Sequence, residues 1–97
     1  MRVRYTQTAL AEIDEIFSYI EADNPAAAAV VKAHIEHTIA LIGRLPKMGR
    51  VKYRQTVRML PVRRYPQYLV FYSIAGNEVV ILNVRHGARR SPWDDEN

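Results

Sequence analysis

The apolar positions near the C-terminal end of the chain predict a β-hairpin. Residues 65–75 and 78–87 are rich in β-branched, aromatic and aliphatic side chains, the composition that buried strands favour. Between them stands Gly76-Asn77, a pair that tolerates the positive φ of a tight turn. We therefore expect two long antiparallel strands that build the centre of a sheet.

A first stripe of apolar residues at helical spacing follows Thr6 and Thr8, either of which can cap a helix. The stripe consists of Leu10, Ile13, Phe17 and Ile20, with Ile16 beside it. The acids of the first turns are Glu12, Asp14 and Glu15. We interpret these acids as favouring the positive end of the helix dipole.

A second helix is predicted from about Pro25 to Gly43 or Arg44, with Asn24 as its N-cap and the proline at the first helical position. Its apolar stripe is Ala27, Val31, Ile35 (or His34), Thr38, Ile42 and Leu45, widened by Val30, Ile39 and Leu41. Since so few residues separate the two helices, we expect them to pack as an antiparallel helical hairpin.

The remaining segments complete an α+β prediction. Residues 2–5 alternate as a short strand, residues 47–54 form a basic loop, and residues 56–62 form a strand in which Pro61 indicates an edge or a bulge. The order is β-α-α-β-β-β, with an N-terminal helical hairpin packed on a mostly antiparallel four-stranded sheet. Residues 1–90 form the single domain, and residues 91–97 form a polar, acidic tail of the kind that is often disordered.

Composition limits the class of protein. The chain has 97 residues, of which 48% are hydrophobic, enough for one core. It has no cysteine, which excludes disulfides and thiolate metal sites and is compatible with a reducing compartment. We see no apolar run of membrane-spanning length and no signal peptide at the start. These features predict a cytoplasmic protein without a membrane partner.

The charge is divided unevenly along the chain. Residues 44–90 contain a single acid, Glu78, and eleven cations: Arg44, Lys47, Arg50, Lys52, Arg54, Arg58, Arg63, Arg64, Arg85, Arg89 and Arg90. Residues 1–43 contain three cations and six acids. This division favours an acidic partner, either nucleic acid or an acidic protein surface. The plainer alternative is a solvated basic face.

Few residues have spacings that point to catalysis or to a cofactor. His34 and His37 stand three apart on the second helix, but no third ligand lies at a useful spacing, so we predict no metal. The glycines do not form a phosphate loop, and we predict no cofactor. A cationic cluster with one histidine could cleave RNA, with arginines neutralising phosphate and His86 moving a proton. Its members are Arg64, Arg85, His86, Arg89 and Arg90. In the alternative interpretation, they pair with a partner or with the tail acids.

Several segments together resemble one family of bacterial proteins. They are the Asn24-Pro25 helix junction, Val57-Arg58-Met59-Leu60-Pro61-Val62, Arg64-Tyr65-Pro66, Leu69-Val70-Phe71-Tyr72 and Val84-Arg85-His86-Gly87-Ala88-Arg89-Arg90. With the β-α-α-β-β-β order, this pattern resembles the RelE/ParE superfamily of toxin–antitoxin toxins, and within it the ParE branch. The resemblance extends nearly to Arg90.

The resemblance implies a toxin that a cognate, ParD-like antitoxin neutralises through an acidic C-terminal segment, in a hetero-oligomer that meets operator DNA only through the antitoxin. ParE-like members poison DNA gyrase by protein–protein contact and are associated with plasmid stabilisation. RelE-like members are ribosome-dependent mRNA endonucleases, and for that activity the site would be Arg64, Arg85 and His86. A third possibility is an inactive relic that only binds antitoxin.

For the binding hypothesis, we predict cationic contacts and aromatic anchors. Arginines and aromatic side chains dominate the energetics of protein interfaces when they are desolvated. The predicted target-binding or antitoxin-binding residues are Arg58, Arg64, Tyr65, Arg85, Arg89, Arg90 and Trp93.

Overall fold

The computed structural model describes residues 1–88, in which two helices lie on one five-stranded sheet. In chain order the elements are β1 (Arg2–Tyr5), α1 (Gln7–Glu21), α2 (Pro25–Arg44), β2 (Arg50–Tyr53), β3 (Val57–Val62), β4 (Tyr65–Ala75) and β5 (Glu78–His86). The sheet order is β1-β5-β4-β3-β2. The α+β prediction is confirmed, and so is the tight turn at Gly76-Asn77, because Ala75 pairs directly with Glu78.

The fifth strand, β2, lies within the segment that the sequence predicted as a basic loop. Arg50 pairs with Met59 and Val51 with Arg58, antiparallel to β3. The segment carries too few apolar residues to indicate a strand by itself. Cations are nevertheless common on edge strands, where they discourage pairing with another chain, and β2 is an edge.

The first strand lies at the other edge and runs parallel to β5, with Tyr5 opposite Ile81. Thr6 then caps α1, since its Oγ1 accepts a hydrogen bond from the Ala9 amide at 3.0 Å. The same hydroxyl donates to the Ile81 carbonyl at 2.9 Å. One side chain thus starts the helix and fixes it to the sheet.

Both helices pack on the same face of the sheet and form the main core. Its buried members are Ala9, Ile13, Val31, Ile35, Ile39, Ile42, Val62, Val70, Tyr72, Val79, Ile81 and Val84. The cap of α2 is confirmed, because Asn24 Oδ1 accepts from the Ala27 amide at 3.1 Å. A β-bulge opposite Phe71 and Tyr72 shifts the alternation of β5 by one residue, so Ile81 and Val84 both face this core.

The buried face of α1 differs from the predicted stripe. Leu10 is 49% exposed, whereas Glu12 is only 7% exposed. The buried residues are Ala9, Glu12 and Ile13, and no acid lies in the first turn. The prediction failed because β5 presents hydrogen-bond donors to this helix, which makes a carboxylate stable in a buried position. In the stripe predicted for the second helix, Val30 on α2 and Leu45 just beyond its end are also exposed, while Val31 and Thr38 are buried as expected.

The opposite face of the sheet, which we call the outer face, carries a second apolar cluster without any helical residue. Its buried members are Tyr53, Val57 and Phe71, with Met59, Leu69 and Leu82 packed against them at partial burial. Tyr53 and Phe71 have ring centroids 6.1 Å apart.

Helix α2 is long and apolar enough to cross a membrane by length and composition, with a mean hydropathy of 1.2. The expectation that no apolar run approaches membrane-spanning length therefore does not hold for α2. Core helices of water-soluble proteins pass the same test. Seven residues of α2 are buried, among them Ile35, Ile39 and Ile42 of the main core.

Candidate functional site

A cavity of about 440 Å³ lies between α1 and the adjacent ends of β4 and β5. Its lining residues are Glu12, Glu15, Ile16, Tyr19, Tyr68, Val84, Arg85 and His86. The first four lie at helical spacing on one face of α1, and the others lie on the two longest strands. A concave apolar wall with a few ionisable groups is the usual form of a binding site.

Glu12 fixes the inner end of this cavity through three hydrogen bonds to β5. Its Oε1 accepts from Asn83 Nδ2 at 2.9 Å and from the Val84 amide at 3.1 Å, and its Oε2 accepts from Arg85 Nε at 2.7 Å. Because β1 ends opposite Ile81, the later residues of β5 have no neighbouring strand on that side within residues 1–88. The carboxylate therefore takes the place of a strand for Val84, and we call this group the Glu12 clamp.

The clamp determines the electrostatic state of Arg85. Its side chain is 21% exposed, and its ion pair with Glu12 at 2.7 Å is shorter than that between Arg4 and Glu78 at 3.5 Å. A carboxylate at 2.7 Å compensates the guanidinium charge. Arg85 is therefore poorly suited to neutralise a phosphate, and its predicted contact with a partner stays a prediction.

His86 lies beside Tyr68, its partner across the β4–β5 ladder, with ring centroids 5.4 Å apart in an edge-on arrangement. Its Nδ1 accepts a hydrogen bond from the Ala88 amide at 3.0 Å. Burial, and secondarily the neighbouring Tyr19, raise the pKa of the Tyr68 phenol. This tyrosine thus stays protonated and can serve as a hydrogen-bond donor beside the histidine, but not as a base at neutral pH.

Arg64 does not join this group. It is exposed in the β3–β4 turn, with φ of 71°, four residues before Tyr68. At the rise of an extended chain, these four residues span about 13 Å. Tyr65 instead packs on α2, where its ring centroid lies 5.3 Å from that of His34. Of the three residues predicted for RNA cleavage, the structure brings together Arg85 and His86 only.

Arg58 lies on β3, towards the β2 edge of the sheet, and holds the loop between α2 and β2. Its Nη1 donates to the Gly49 carbonyl at 2.8 Å and to the Lys47 carbonyl at 3.3 Å. The buried Tyr72 hydroxyl accepts from the Gly49 amide at 2.8 Å and donates to the Pro46 carbonyl at 2.7 Å. Gly49 permits this approach, since a Cβ there would lie 2.9 Å from Tyr72 Cζ.

The loop and β2 together present an alternation of cations and apolar side chains. We call this surface the basic edge and define it as Arg44, Leu45, Lys47, Met48, Arg50, Val51 and Lys52, all of which are exposed. Within residues 1–88, none of its four cations forms an ion pair. An uncompensated cationic edge with three exposed apolar side chains fits an acidic, amphipathic protein segment.

Three predicted binding residues, Arg89, Arg90 and Trp93, lie outside the described residues, as does the predicted tail. Within residues 1–88, no group of three or more histidine, aspartate or glutamate side chains is placed to hold a metal ion. His34 is occupied by its contact with Tyr65.

Sequence reasoning missed the residues that organise both sides of the sheet. Glu12 was interpreted as a dipole-facing acid, Asn83 was given no role, and Tyr72 was treated only as part of a strand. One signal was available for Glu12, because it stands between Ala9, Ile13 and Ile16 at helical spacing. An acid within an apolar stripe indicates a buried carboxylate with partners.

Comparison with known proteins identifies the family. The family model described as "ParE toxin of type II toxin-antitoxin system, parDE" matches residues 3–91. The chain belongs to the ParE toxin family. It is thus a ParE-like toxin of a type II toxin–antitoxin system, as the resemblance implied, and an antitoxin is its partner in general terms.

Two individual proteins are consistent with this assignment to the ParE toxins. A protein of Sinorhizobium fredii named "Putative toxin Y4kP" is 37% identical over 91 residues, which cover 94% of this chain and 93% of the relative. A solved structure titled "Chromosomal ParDE TA system from P. aeruginosa" superposes with a TM-score of 0.78 at 21% identity, covering 89% of this chain and 95% of that one. The structural likeness supports the fold alone.

Proposed function

We propose that this ParE-like toxin acts in the cytoplasm by inhibiting DNA gyrase through protein–protein contact, and that a ParD-like antitoxin neutralises it. Family membership supports the toxin role, and one observation in the site favours contact over RNA cleavage. The Glu12 clamp compensates the charge of Arg85 at 2.7 Å, while Arg64 lies in a separate turn. A nuclease of the predicted kind needs uncompensated arginines near the scissile phosphate.

The basic edge is the surface that we assign to the acidic C-terminal segment of the antitoxin. Its four cations have no acidic partner within residues 1–88, and Leu45, Met48 and Val51 are 56%, 38% and 44% exposed. Edge strand β2 also offers backbone groups to an added strand. A segment that folds on binding would cover the apolar side chains and neutralise the cations.

The second candidate function is a RelE-like endoribonuclease. His86 and Tyr68 are in edge-on contact in a cavity that also contains Arg85, an arrangement that could move a proton at a phosphate ester. An inactive relic that only binds antitoxin is the third alternative, and it predicts no growth defect when the toxin is expressed without antitoxin.

The deciding experiment measures gyrase supercoiling and the integrity of ribosome-bound mRNA in parallel, with the purified chain. We expect supercoiling to be lost while mRNA stays intact. Cleaved mRNA with normal supercoiling would refute the proposal and assign Arg85 and His86 to catalysis. No effect in either assay would leave the relic or a different target.

Two sets of variants sharpen the result. If the protein is a nuclease, His86→Ala should reduce its activity by about 100-fold or more. If this surface only contacts a partner, the same substitution should reduce the binding affinity only in part. A Lys47→Gln/Arg50→Gln/Lys52→Gln triple variant should bind an acidic antitoxin segment more weakly, with a smaller salt dependence. The matched control is Arg2→Gln/Arg4→Gln on the opposite edge strand, which should bind normally.

A further inference from the structure

Three residues of the outer face are buried although both helices pack on the opposite face of the sheet. Phe71 is 3% exposed, Val57 is 5% exposed and Tyr53 is 6% exposed. The main core contains the contacts of α1 and α2, and no helical residue belongs to the outer cluster. A three-residue apolar cluster on a sheet face normally requires a covering layer. Within residues 1–88, neither helix supplies one.

The charge next to the apolar cluster on the β2 side of this face is positive. Residues that pair directly across a sheet point to the same face, so the row Arg50–Met59–Phe71 runs across the outer face. Arg50 thus borders the cluster on the side of β2, and Lys52 and Arg54 follow it in the chain. A segment that fits this surface needs an aromatic or aliphatic anchor followed by acids.

The last nine residues of the chain have this chemistry. We propose that residues 89–97 are the occupant of the outer face, with Trp93 over Met59, Leu69 and Phe71 and with Asp94, Asp95 and Glu96 directed to Arg50 and its neighbours on β2. The surface is thereby a docking site for an acidic, aromatic-bearing segment. This inference does not depend on what the toxin inhibits.

The length of the segment fits the distances on the sheet. Leu69 pairs with Arg85 and Phe71 with Asn83, so the cluster begins three residues back from Ala88, or about 10 Å at the rise of a strand. Trp93 is five residues beyond Ala88 and can reach roughly 16 Å. The three acids follow Trp93 in sequence, and β3 and β2 follow β4 in the sheet, so a tail that runs from β4 towards β2 would bring the acids to Arg50.

The chain provides its own probe, because Trp93 is the single tryptophan. The experiment records tryptophan emission and acrylamide quenching of the full chain, native and unfolded in urea. We expect a blue-shifted, poorly quenched native indole. A native emission equal to that of the urea-unfolded chain would overturn the proposal.

Charge variants locate the docked segment. The Asp94→Asn/Asp95→Asn/Glu96→Gln variant changes only the tail, so it leaves the core of residues 1–88 intact. It and Arg50→Gln should both shift the emission to the red and raise quenching, since an exposed pair changes the docked-to-undocked ratio by roughly two- to fivefold. The matched control Arg2→Gln, an exposed cation of β1, should leave both readings unchanged.

A shape variant tests the apolar contact separately from charge. Leu69→Ala removes part of the partly buried cluster and should also raise quenching, with far-ultraviolet circular dichroism confirming that the sheet persists. A buried indole that is insensitive to Arg50→Gln, to the tail variant and to Leu69→Ala would place Trp93 elsewhere and refute docking on the outer face.

Discussion

Cationic residues have different roles on the two lateral sides of the sheet, the β5 side and the β2 side. On the β5 side, Arg85 is held by the buried carboxylate of Glu12 at 2.7 Å. On the β2 side, Arg58 holds backbone carbonyls of a loop, and the four cations of the basic edge have no ion pair within residues 1–88. The net charge calculated from the sequence does not distinguish paired arginines from unpaired ones. The structure separates the arginines whose charge is compensated within residues 1–88 from those whose charge is not.

The difference also concerns how each side is stabilised. The Glu12 clamp replaces a missing strand with a single side chain, so three donors depend on one carboxylate. On the β2 side, Tyr72 and Arg58 share the work of anchoring the loop. We therefore expect a single substitution to cost more on the β5 side.

The largest expected effect is that of Glu12→Ala. It removes the acceptor shared by Asn83 Nδ2, the Val84 amide and Arg85 Nε, so the free energy of unfolding should fall by about 3 kcal/mol. Urea denaturation measures the loss. The control is Asp14→Ala, an exposed acid on the same helix, which should change stability by less than about 0.5 kcal/mol. Equal losses in the two variants would mean that the clamp contributes little.

Next in size is Tyr72→Phe on the β2 side. It removes one accepted and one donated hydrogen bond and should lower the free energy of unfolding by about 2 kcal/mol. The amide of Gly49, buried in the structure, should also lose protection in hydrogen exchange. If this variant cost more than Glu12→Ala, the proposed order of the two sides would be reversed.

Alkaline pH should weaken both sides together. Burial raises the pKa of Tyr72 and of Tyr68 above the ordinary value of 10.0, despite lowering contributions at Tyr72 from Gly49 and Arg58. A raised folded-state pKa means that the folded chain holds the phenolic proton more tightly than the unfolded chain. The contribution of these two phenols to the free energy of unfolding is thus fully present below pH 10. It declines as the pH rises above that value. Urea titrations across this range measure the decline in the free energy of unfolding with pH. The decline should be flatter in Tyr72→Phe and in Tyr68→Phe than in the unsubstituted chain. An unchanged slope in both variants would exclude these phenols as its source.

The smallest expected effect lies in the β3–β4 turn. Arg64 has φ of 71°, and Arg64→Gly should raise the free energy of unfolding by roughly 0.5 kcal/mol, because relief of strain exceeds the added chain entropy. The matched control is Arg63→Gly, where φ is not positive and a loss of about 0.5–1 kcal/mol is expected. Thermal unfolding should show a higher melting temperature for Arg64→Gly and a lower one for Arg63→Gly. A toxin that gains stability but loses inhibition would show that Arg64 contacts a partner.

Much of the fold was predictable because local chemistry and pattern agreed. Asn24-Pro25 marked the start of α2 correctly, and Gly76-Asn77 marked the hairpin turn. Strand β2 was not predictable, since four residues with two cations become a strand only when β3 supplies hydrogen bonds. The residues of β5 that face the helices could not be predicted either. Its run of valine and isoleucine is apolar on both faces, and the β-bulge decides which residues point towards the helices.

The sequence by itself determined the α+β order, the ParE resemblance and the concentration of positive charge in the C-terminal half. Each of these depends on short-range patterns or on composition, which the linear chain contains. Only the tertiary structure decided that Glu12 meets Arg85, 73 residues away, that Arg58 secures a loop, and that the cations of the basic edge have no ion pair within residues 1–88. Pairing of distant charges depends on which helix face meets which strand edge, and packing of the whole chain sets that geometry.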